Sequence, residues 1–371
     1  MQCCIDIQAA LAQRAGVGRY TQALVEHLAP LAGEDALRCF CFDFKRAGIP
    51  LHLAQAEIRC IRWCPGRLVQ RAWKTIHFPP FDWLAGPADV YHFPNFIIPP
   101  LGRGRAVVTI HDVSFLRFPE AAEPNNLRYL NHHIRRTVDR ADLILTDSDF
   151  SAREMQECLQ VPPDRIKTVH LGLTDNMRAP DDATVQAIRT QWPLDRPYLL
   201  FVGTLEPRKN LPFLIEVFER LSAFDGDLII AGMRGWKFEP ILERMQRSPL
   251  SARIRYLDYV PEPHLPALYA GAAAFVFPSR YEGFGFPPLE AMRCGTPVCS
   301  SRAGSLPEVL GSAAHYIDHD DPAGWAMALE SLLQDTDHQA TLRTTGFRQA
   351  ARYTWEATAR ATWEAYRQVA S

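Results

Sequence analysis

The sequence has no excess of charge of either sign and no long hydrophobic run. Its 371 residues include 40 Lys and Arg against 42 Asp and Glu, a formal net charge of −2. A dedicated nucleic-acid-binding protein usually carries a large basic excess, so the balance argues against that class. The longest uninterrupted apolar run, Ala267–Phe277, has 11 residues, whereas a membrane-spanning helix needs about 20. No transmembrane helix is therefore predicted.

The chain also has little that would suit a secreted protein. Its first residues, Met1 to Asp6, contain no basic region and no long apolar stretch, so no signal peptide is predicted. Nine cysteines are an odd number scattered through the chain, which favours reduced, mostly buried thiols over a disulfide framework. Near Cys60 and Cys64 no His or Cys pair completes a zinc site. The expected location is the cytoplasm.

Short apolar runs alternate with amphipathic helical stretches along the whole chain. In Asn126–Arg140, for example, Leu130, Ile134 and Val138 fall on one helix face. The predicted strands are Cys3–Gln8, Leu37–Asp43, Glu57–Trp63, Val90–Pro94, Ala106–Asp112, Leu143–Ser148, Ile166–Gly172, Tyr198–Gly203, Asp227–Gly232, Arg253–Val260, Ala272–Ser279, Thr296–Ser301 and Ala313–Asp318. Apolar strands separated by helices indicate parallel sheets covered on both faces. The predicted class is α/β, with two doubly wound domains.

The polar, proline-containing stretch in the middle of the chain indicates a connection between the two domains. The predicted division is a Rossmann-like domain over 1–173, a linker over 174–196, a second Rossmann-like domain over 197–351 and a terminal helix over 352–371. The terminal helix carries Trp355, Trp363 and Tyr366 at helical spacing, so it is expected to dock, with the first domain as its predicted partner.

The most specific motif runs from Ser279 to Pro297, after a predicted strand and into a predicted helix. Its loop Gly283–Phe286 places backbone N–H groups at a helix N-terminus, which suits a pyrophosphate. Glu282 and Glu290 are eight residues apart, so both are expected to face one cleft and to accept hydrogen bonds from sugar hydroxyls. An isolated pair of glutamates here would more simply be solvated.

A second motif follows the first strand of the second domain. The strand runs into a turn at Gly203, and Arg208 and Lys209 follow before the next helix. Ligands of doubly wound sheets bind at the carboxyl ends of the strands, and this pair of cations suits a diphosphate. Alone, the same residues would also fit a solvated basic turn.

Two weaker signals lie in the first half. Gly16 and Gly18 open a helix, but the dinucleotide fingerprint G-x-G-x-x-G fails because position 21 is Thr. His111 ends a buried strand, where a single histidine is usually structural but can also contact a sugar hydroxyl.

Together these residues resemble glycosyltransferase family 4, the retaining enzymes with the GT-B fold. The Glu206-Pro-Arg-Lys209-Asn210 string and the later string that contains Glu282 and Glu290 occur in the order and spacing expected for that family. The strings Val90 to Asn95, Thr109 to Asp112 and Arg140 to Thr146 look like the bacterial mannosyltransferase branch that builds O-antigen and capsule chains. The resemblance implies two Rossmann-like domains with an interdomain cleft, the second binding a nucleotide sugar and the first its acceptor.

The family also implies roles for the motif residues of the second domain. Glu290 would bind the nucleotide ribose and Glu282 the donor sugar, while Arg208 and Lys209 would hold the diphosphate. Phe284, Gly285 and Phe286 would offer backbone amides to the phosphates. Gly203 would form the turn that lets the phosphates approach.

In the first domain, the resemblance implies that Gly16 and Gly18 let the loop approach the phosphates and the acceptor. His111 would hydrogen-bond the transferred sugar. The branch often has Ser where Asp147 stands.

The implied reaction is retaining transfer of a hexose onto a growing, lipid-linked bacterial surface glycan, with mannose from GDP-mannose as the first choice. UDP and dTDP sugars remain open as donors, and no metal or other cofactor is expected. Three Asp-x-Asp strings, Asp147–Asp149, Asp225–Asp227 and Asp318–Asp320, keep a metal-dependent GT-A enzyme open. A Rossmann oxidoreductase and a non-catalytic carbohydrate-binding protein also stay open.

Residues 58–83 carry a local excess of positive charge mixed with aromatics. No acidic residue lies between Glu57 and Asp82, and the cations there are Arg59, Arg62, Arg67, Arg71 and Lys74. One interpretation is a solvated helix whose aromatics enter the core. The other is a segment that binds an anionic membrane surface, which would place the enzyme peripherally on the inner face of the cytoplasmic membrane.

Overall fold

The computed structural model describes residues 1–12, 16–49, 51, 53, 55–317 and 320–371. These form two compact units. Unit 1 comprises Met1–Val113, Asn125–Gly172 and Thr354–Ser371, and unit 2 comprises Ser114–Pro124 and Leu173–Tyr353. Each unit is built on one parallel sheet with helices, so the predicted α/β class is confirmed.

The strands in chain order are β1 Gln2–Asp6, β2 Ala36–Phe42, β3 Glu57–Ile61, β4 Val90–Phe93, β5 Arg105–Thr109, β6 Leu143–Thr146, β7 Ile166–Thr168, β8 Tyr198–Val202, β9 Asp227–Ala231, β10 Ile254–Tyr256, β11 Ala274–Phe277, β12 Val298–Ser300 and β13 His315–Tyr316. All lie inside or within one residue of the predicted runs. Every residue of β4, β6, β9, β11 and β12 is buried, because helices cover both faces of a parallel sheet.

The α-helices in chain order are α1 Gln8–Ala12, α2 Val17–Leu28, α3 Gly66–Thr75, α4 Phe81–Ala85, α5 Ser114–Arg117, α6 Pro124–Arg140, α7 Asp149–Leu159, α8 Asp182–Gln191, α9 Leu211–Arg220, α10 Glu239–Gln246, α11 Leu265–Ala270, α12 Phe286–Arg293, α13 Leu306–Leu310, α14 Pro322–Gln334, α15 Thr336–Ala350 and α16 Trp355–Ala370.

Both sheets reverse their strand order at one point. The seven-stranded sheet of unit 1 has the order β3-β2-β1-β4-β5-β6-β7, and the six-stranded sheet of unit 2 has β10-β9-β8-β11-β12-β13. In unit 1 the order reverses between β1 and β4, and in unit 2 between β8 and β11. In doubly wound sheets, ligands bind outside the carboxyl ends of the strands at such a point.

The terminal helix α16 packs within unit 1. Trp355, Trp363 and Tyr366 are at most 4% exposed. Thr358 Oγ1 donates a hydrogen bond of 2.8 Å to the carbonyl of His170, and the Thr354 side chain caps the helix by accepting from the Ala357 amide.

The division of the chain differs from the predicted boundaries in two segments. Residues 174–196, predicted as a linker, belong to unit 2 and contain α8, because Ile188 buries its side chain there. Ser114–Pro124, predicted in the first domain, also belongs to unit 2. There the Trp236 ring nitrogen donates to the Ala121 carbonyl, and the Phe118 ring packs 5.6 Å from that of Tyr281.

No helix among the described residues has the length and apolar character needed to cross a bilayer.

Candidate active site

Four charged side chains meet where β8 and β11 end, at the point of reversal in the sheet of unit 2. Glu206, Arg208 and Lys209 follow β8, and Glu282 follows β11. The two strands are hydrogen-bonded neighbours, so loops that are more than 70 residues apart in sequence leave the sheet side by side.

Glu282 is held by both cations. Its Oε1 accepts from Lys209 Nζ at 2.6 Å, and its Oε2 accepts from Arg208 at 3.0 Å. Arg208 also donates to Glu206 Oε1 at 2.7 Å and to the Tyr281 carbonyl at 2.5 Å. Two carboxylates and two cations thus form one balanced group, which we call the charge cluster.

The charge cluster lies almost wholly out of solvent. Glu206, Lys209 and Glu282 are 2%, 7% and 6% exposed, and the Lys209 ammonium also lies 5.1 Å from the centre of the Phe277 ring. Burial alone would raise the pKa of Glu282, but the charges of Arg208 and Lys209 outweigh it and lower that pKa to about 2. Glu282 is therefore ionised at neutral pH.

The loop that carries Glu282 is fixed by the turn before α13. Gly304 has φ +63°, and a Cβ placed there would lie 2.3 Å from the Glu282 carbonyl oxygen. The Ser305 amide donates to that same oxygen at 3.0 Å. The Ser305 hydroxyl donates to the carbonyls of Glu282 and Phe284 at 3.1 and 2.9 Å. The loop geometry is therefore set by contacts of Gly304 and Ser305 with the backbone carbonyl groups of the loop.

Helix α12 begins at Phe286 and supplies fewer N–H donors than the motif suggested. Gly285 precedes it with φ +110°, and Pro287 and Pro288 occupy the second and third helical positions. Proline has no N–H, so among the first three helical residues Phe286 alone carries one. The anion-binding amides expected from the helix are thus confined to Phe284, Gly285 and Phe286, and the first two are buried.

Glu290 lies in α12 and is 4% exposed. Its Oε2 accepts a hydrogen bond of 2.8 Å from the hydroxyl of Tyr269, which stands on α11. A buried carboxylate oriented by a phenol is suited to accept hydrogen bonds from vicinal hydroxyl groups.

Gly203 sits in a close contact between loops. A Cβ at Gly232 would lie 2.0 Å from the Gly203 carbonyl oxygen, and a Cβ at Gly203 itself would lie 3.2 Å from the Phe201 ring. In unit 1, Gly16 precedes α2 with φ +56° and has open space where a Cβ would point, whereas Gly18 is buried in the first turn. The neighbouring Ala15 lies outside the described residues.

His111 follows β5 and pairs with Asp147, which follows the adjacent strand β6. His111 Nδ1 lies 2.8 Å from Asp147 Oδ2, and Nε2 lies 3.2 Å from the Pro94 carbonyl oxygen. The His111 and Asp147 side chains are 13% and 6% exposed. The Tyr20 ring packs edge-on against His111 at 4.8 Å.

Sequence reasoning selected none of Glu206, Tyr269 and Asp147 as site residues. Glu206 lies inside the Glu206-Pro-Arg-Lys209-Asn210 string, where its position next to two cations could have indicated that it pairs with one of them. Tyr269 and Asp147 contact Glu290 and His111 from other elements, so only the fold reveals them.

The Asp-x-Asp strings have other partners in the structure. Asp147 binds His111 as above, and Asp225 pairs with Arg196. Asp318, of the third string, lies outside the described residues. Within the described part of the chain, no three His, Cys, Asp or Glu side chains are grouped so as to hold a metal ion.

Comparison with known proteins agrees with this arrangement. The family model "Glycosyltransferase Family 4" matches residues 14–176, and "Glycosyl transferases group 1" matches residues 184–349. O-antigen chain mannosyltransferase B of Escherichia coli is 35% identical over 370 residues, which are 95% of this chain and 96% of that protein.

Two solved structures share the fold at low sequence identity. A sucrose-phosphate synthase from Thermosynechococcus elongatus has a TM-score of 0.77 at 19% identity, covering 100% of this chain and 99% of its own. Anabaena HepE in complex with UDP and glucose has a TM-score of 0.74 at 18% identity, covering 99% and 100%. The two parallel-sheet domains are those of the GT-B fold, as predicted. The chain therefore belongs to glycosyltransferase family 4 and is a glycosyltransferase.

Proposed function

We propose that this glycosyltransferase moves mannose from GDP-mannose, with retention of configuration, onto a growing lipid-linked bacterial surface glycan. The observation that carries the proposal is the charge cluster, in which Glu282 is bonded to both Arg208 and Lys209 at the reversal point of the unit 2 sheet. The mannosyl and surface-glycan parts rest on the name of the relative that is 35% identical over nearly the whole chain.

The diphosphate group of the nucleotide-sugar donor binds at the charge cluster. Arg208 has five N–H groups and Lys209 three, more than the carboxylates use, so both cations can donate to phosphate oxygens without releasing Glu282. The amides of Phe284, Gly285 and Phe286 add donors. Since these N–H groups can bind the diphosphate oxygens directly, the proposal requires no metal ion.

The same contacts bear on the chemical step. Each carboxylate oxygen of Glu282 accepts from a cation, and its low pKa makes it a weak nucleophile. A covalent glycosyl–enzyme intermediate at Glu282 is therefore disfavoured. In the proposed front-face step, the acceptor oxygen bonds to C1 as the bond from C1 to the diphosphate oxygen breaks. The acceptor proton passes to the departing diphosphate, whose growing charge Arg208 and Lys209 stabilise.

The remaining assignments place Glu290 on the nucleotide ribose and Glu282 near the donor sugar. In unit 1, which takes the acceptor, Gly16 and Gly18 let the loop approach the phosphates, and Gly203 keeps the corresponding turn of unit 2 open. His111 hydrogen-bonds the transferred sugar.

The test is a donor comparison with the purified 371-residue chain. Thermal shifts with GDP, UDP and dTDP identify the nucleotide, because a ligand raises the melting temperature in proportion to its binding. GDP-mannose with lipid-linked glycan extracted from bacterial membranes should release GDP and give an α-linked product. A larger increase in melting temperature with UDP or dTDP would show that the donor carries that nucleotide instead of GDP. Absence of acceptor-dependent GDP release would refute the mannosyl transfer. Glu282→Gln should lose turnover, whereas Glu243→Gln, an exposed glutamate on α10, should not.

We further propose that unit 1 docks on an anionic membrane through residues 58–83. Of the nine large exposed hydrophobic side chains among the described residues, five fall in this segment. They are Trp63, Leu68, Ile76, Phe78 and Trp83, and they are 50% to 71% exposed. Trp73 and Phe81 instead pack against the core side of unit 1. Some aromatic side chains of the segment therefore enter the core, as one interpretation predicted, while the five exposed side chains are available to a membrane surface.

Helix α6 adds positive charge beside this segment. Lys74 Nζ lies 4.2 Å from the centre of the Tyr129 ring, and Arg136 contacts His77 Nε2 at 2.6 Å. No ion pair within the described residues involves Lys74 or Arg136. Cations free of carboxylates, next to exposed aromatic rings, suit the boundary between anionic headgroups and acyl chains.

Co-sedimentation with liposomes tests the docking. Binding should require anionic lipid, weaken as salt rises, and fall when Arg67, Arg71 and Lys74 are changed to Glu. The same reversal at Arg247, an exposed arginine of unit 2, is the control. Equal recovery in the supernatant with neutral and anionic vesicles would refute the docking and leave the transfer proposal intact.

A further inference from the structure

Asp147 is a buried carboxylate with a single hydrogen-bonding partner. The residue is 4% exposed, and its Oδ2 lies 2.8 Å from His111 Nδ1. Its other oxygen, Oδ1, is fully buried and has no hydrogen-bond partner among the described residues. Leaving a buried carboxylate oxygen unbonded is costly, so the position calls for an explanation.

Capping of the following helix does not explain Asp147. The N-cap of α7 is Ser148, whose hydroxyl accepts from the Ser151 amide at 3.1 Å. Among the described residues, His111 is thus the one hydrogen-bonding partner of the Asp147 carboxylate, while Asp112 and His170 act on it only through their charge.

His111 in turn faces an acceptor at each ring nitrogen. Nδ1 meets the Asp147 carboxylate, and Nε2 meets the Pro94 carbonyl oxygen at 3.2 Å. A neutral imidazole carries one N–H and can satisfy only one of these acceptors, whereas the doubly protonated ring donates to both. Burial alone would lower the pKa of His111, but the charge and hydrogen bond of Asp147 outweigh it and raise that pKa above its usual value.

The other groups around His111 do not replace Asp147. Asp112, the next residue, adds a smaller attraction for a proton, and His92 on β4 a repulsion. The Tyr20 hydroxyl on α2 is bonded to Thr109, and burial keeps its pKa far above neutrality. His92 provides an internal contrast: within the described part of the chain this buried histidine hydrogen-bonds to the hydroxyls of Tyr366 and Thr109 and to no carboxylate.

We propose that Asp147 is a positioning residue that keeps His111 doubly protonated, so that Nε2 presents an N–H to a hydroxyl oxygen of the transferred sugar. The inference rests on the proposed contact between His111 and that sugar. The hydroxyl then accepts from Nε2, sharing or replacing the bond to the Pro94 carbonyl. With an uncharged residue at position 147, the ring keeps one proton that Nδ1 and Nε2 compete for, so an N–H at Nε2 is no longer assured and carries no positive charge.

The direct test is an NMR titration of the histidine side chains in the nucleotide-free chain. The His111 signal is assigned by its loss in His111→Gln. In the wild-type chain it should titrate above the usual histidine range. In Asp147→Asn, which keeps the shape and an acceptor for Nδ1–H, it should titrate below that range, because burial then outweighs the smaller attraction of Asp112. Asp139→Asn, which removes an exposed charge from α6, should leave the midpoint unchanged. An equal His111 midpoint in the wild-type chain and Asp147→Asn overturns the inference.

The activity of the same variants gives the second readout. At pH 7.5, kcat/KM of Asp147→Asn should fall about 10-fold to 100-fold, the range for losing a charged hydrogen bond. Activity should recover as the pH is lowered and His111 takes its second proton, a response that a folding defect would not produce. A loss that is the same at every pH overturns the inference. If His111→Gln turns over like the wild type, the proposed sugar contact fails, whereas the NMR result on the charge of His111 still stands.

Discussion

The ammonium nitrogen of Lys209 lies 2.6 Å from Oε1 of Glu282, although the two residues are 73 positions apart in the chain. This ion pair links the loops that leave β8 and β11. It therefore couples the cations proposed for the diphosphate to the glutamate proposed for the donor sugar.

Lys209→Met should destabilise unit 2 as well as weaken nucleotide binding. Removing one partner of a buried ion pair typically costs about 3–5 kcal/mol, and the remaining bond from Arg208 to Glu282 should keep the loss near about 3 kcal/mol. Urea denaturation of the 371-residue chain measures this loss of stability. Arg247→Met is the matched control, because its pair with Glu243 has side chains 79% and 59% exposed and should contribute little. Equal losses in the two variants would contradict the importance of burial.

Gly304→Ala should displace the loop that carries Glu282. The added Cβ would lie 2.3 Å from the Glu282 carbonyl oxygen, which is backbone and must move. Gly33→Ala separates this clash from backbone strain, since Gly33 has φ +55° against +63° at Gly304, and its nearest neighbour to a Cβ is 4.0 Å away. We expect turnover to fall at least 10-fold in Gly304→Ala and to be unchanged in Gly33→Ala. Full turnover in both variants would show that the loop tolerates the shift.

Transfer should persist in EDTA. The groups proposed to bind the diphosphate are N–H donors of Arg208, Lys209 and the backbone, which need no ion. The assay is acceptor-dependent release of nucleoside diphosphate before and after dialysis against the chelator. A loss of activity that Mg²⁺ or Mn²⁺ restores would instead indicate a metal-dependent donor site.

The strands were predictable from the sequence, whereas some helices were not. Strands such as β6, β8 and β11 are short apolar runs, because a strand covered on both faces has no polar side. Helix α15, with 15 residues, was not predicted. It buries Leu342, Gly346 and Ala350, and two of these three are too small to mark an apolar stripe.

Within the site, the sequence indicated which loops carry the charges but not how those charges pair. Motif order placed Glu282 and Lys209 near the same sheet edge, but only the adjacency of β8 and β11 brings the side chains into contact. The donors expected from α12 are a different case. Pro287 and Pro288 are visible in the sequence, and their missing N–H groups limit what that helix can bind.

Tyr269→Phe should weaken nucleotide binding without unfolding unit 2. The hydroxyl donates to Glu290 Oε2 at 2.8 Å, so its loss frees the carboxylate that is proposed to hold the ribose. We expect the affinity for nucleoside diphosphate to fall about 5-fold to 10-fold, in line with about 1 kcal/mol for a hydrogen bond. Glu290→Ala should cost more, and Tyr259→Phe, an exposed tyrosine, should have no effect. Calorimetric titration with the nucleotide found by thermal shift measures all three; unchanged affinity in Glu290→Ala would refute the ribose assignment.

His92 should make unit 1 sensitive to mild acid. It is 1% exposed, and burial lowers its pKa to about 3, so the folded chain keeps it neutral while the unfolded chain protonates it below about 6.5. As the pH falls from about 6.5 towards 3, the unfolded state gains a proton that the folded state refuses, and stability drops by up to about 1.4 kcal/mol per pH unit. His111 acts in the opposite direction, because its raised pKa lets the folded state bind the proton at a higher pH than the unfolded state; the stability that this adds as the pH falls is fully present below about 6.5. Melting temperatures between pH 7.5 and 5 should therefore decline less steeply in His92→Gln than in the wild type. His132→Gln, which removes an exposed histidine from α6, should keep the wild-type slope, and equal slopes in all three chains would show that His92 is not the group responsible.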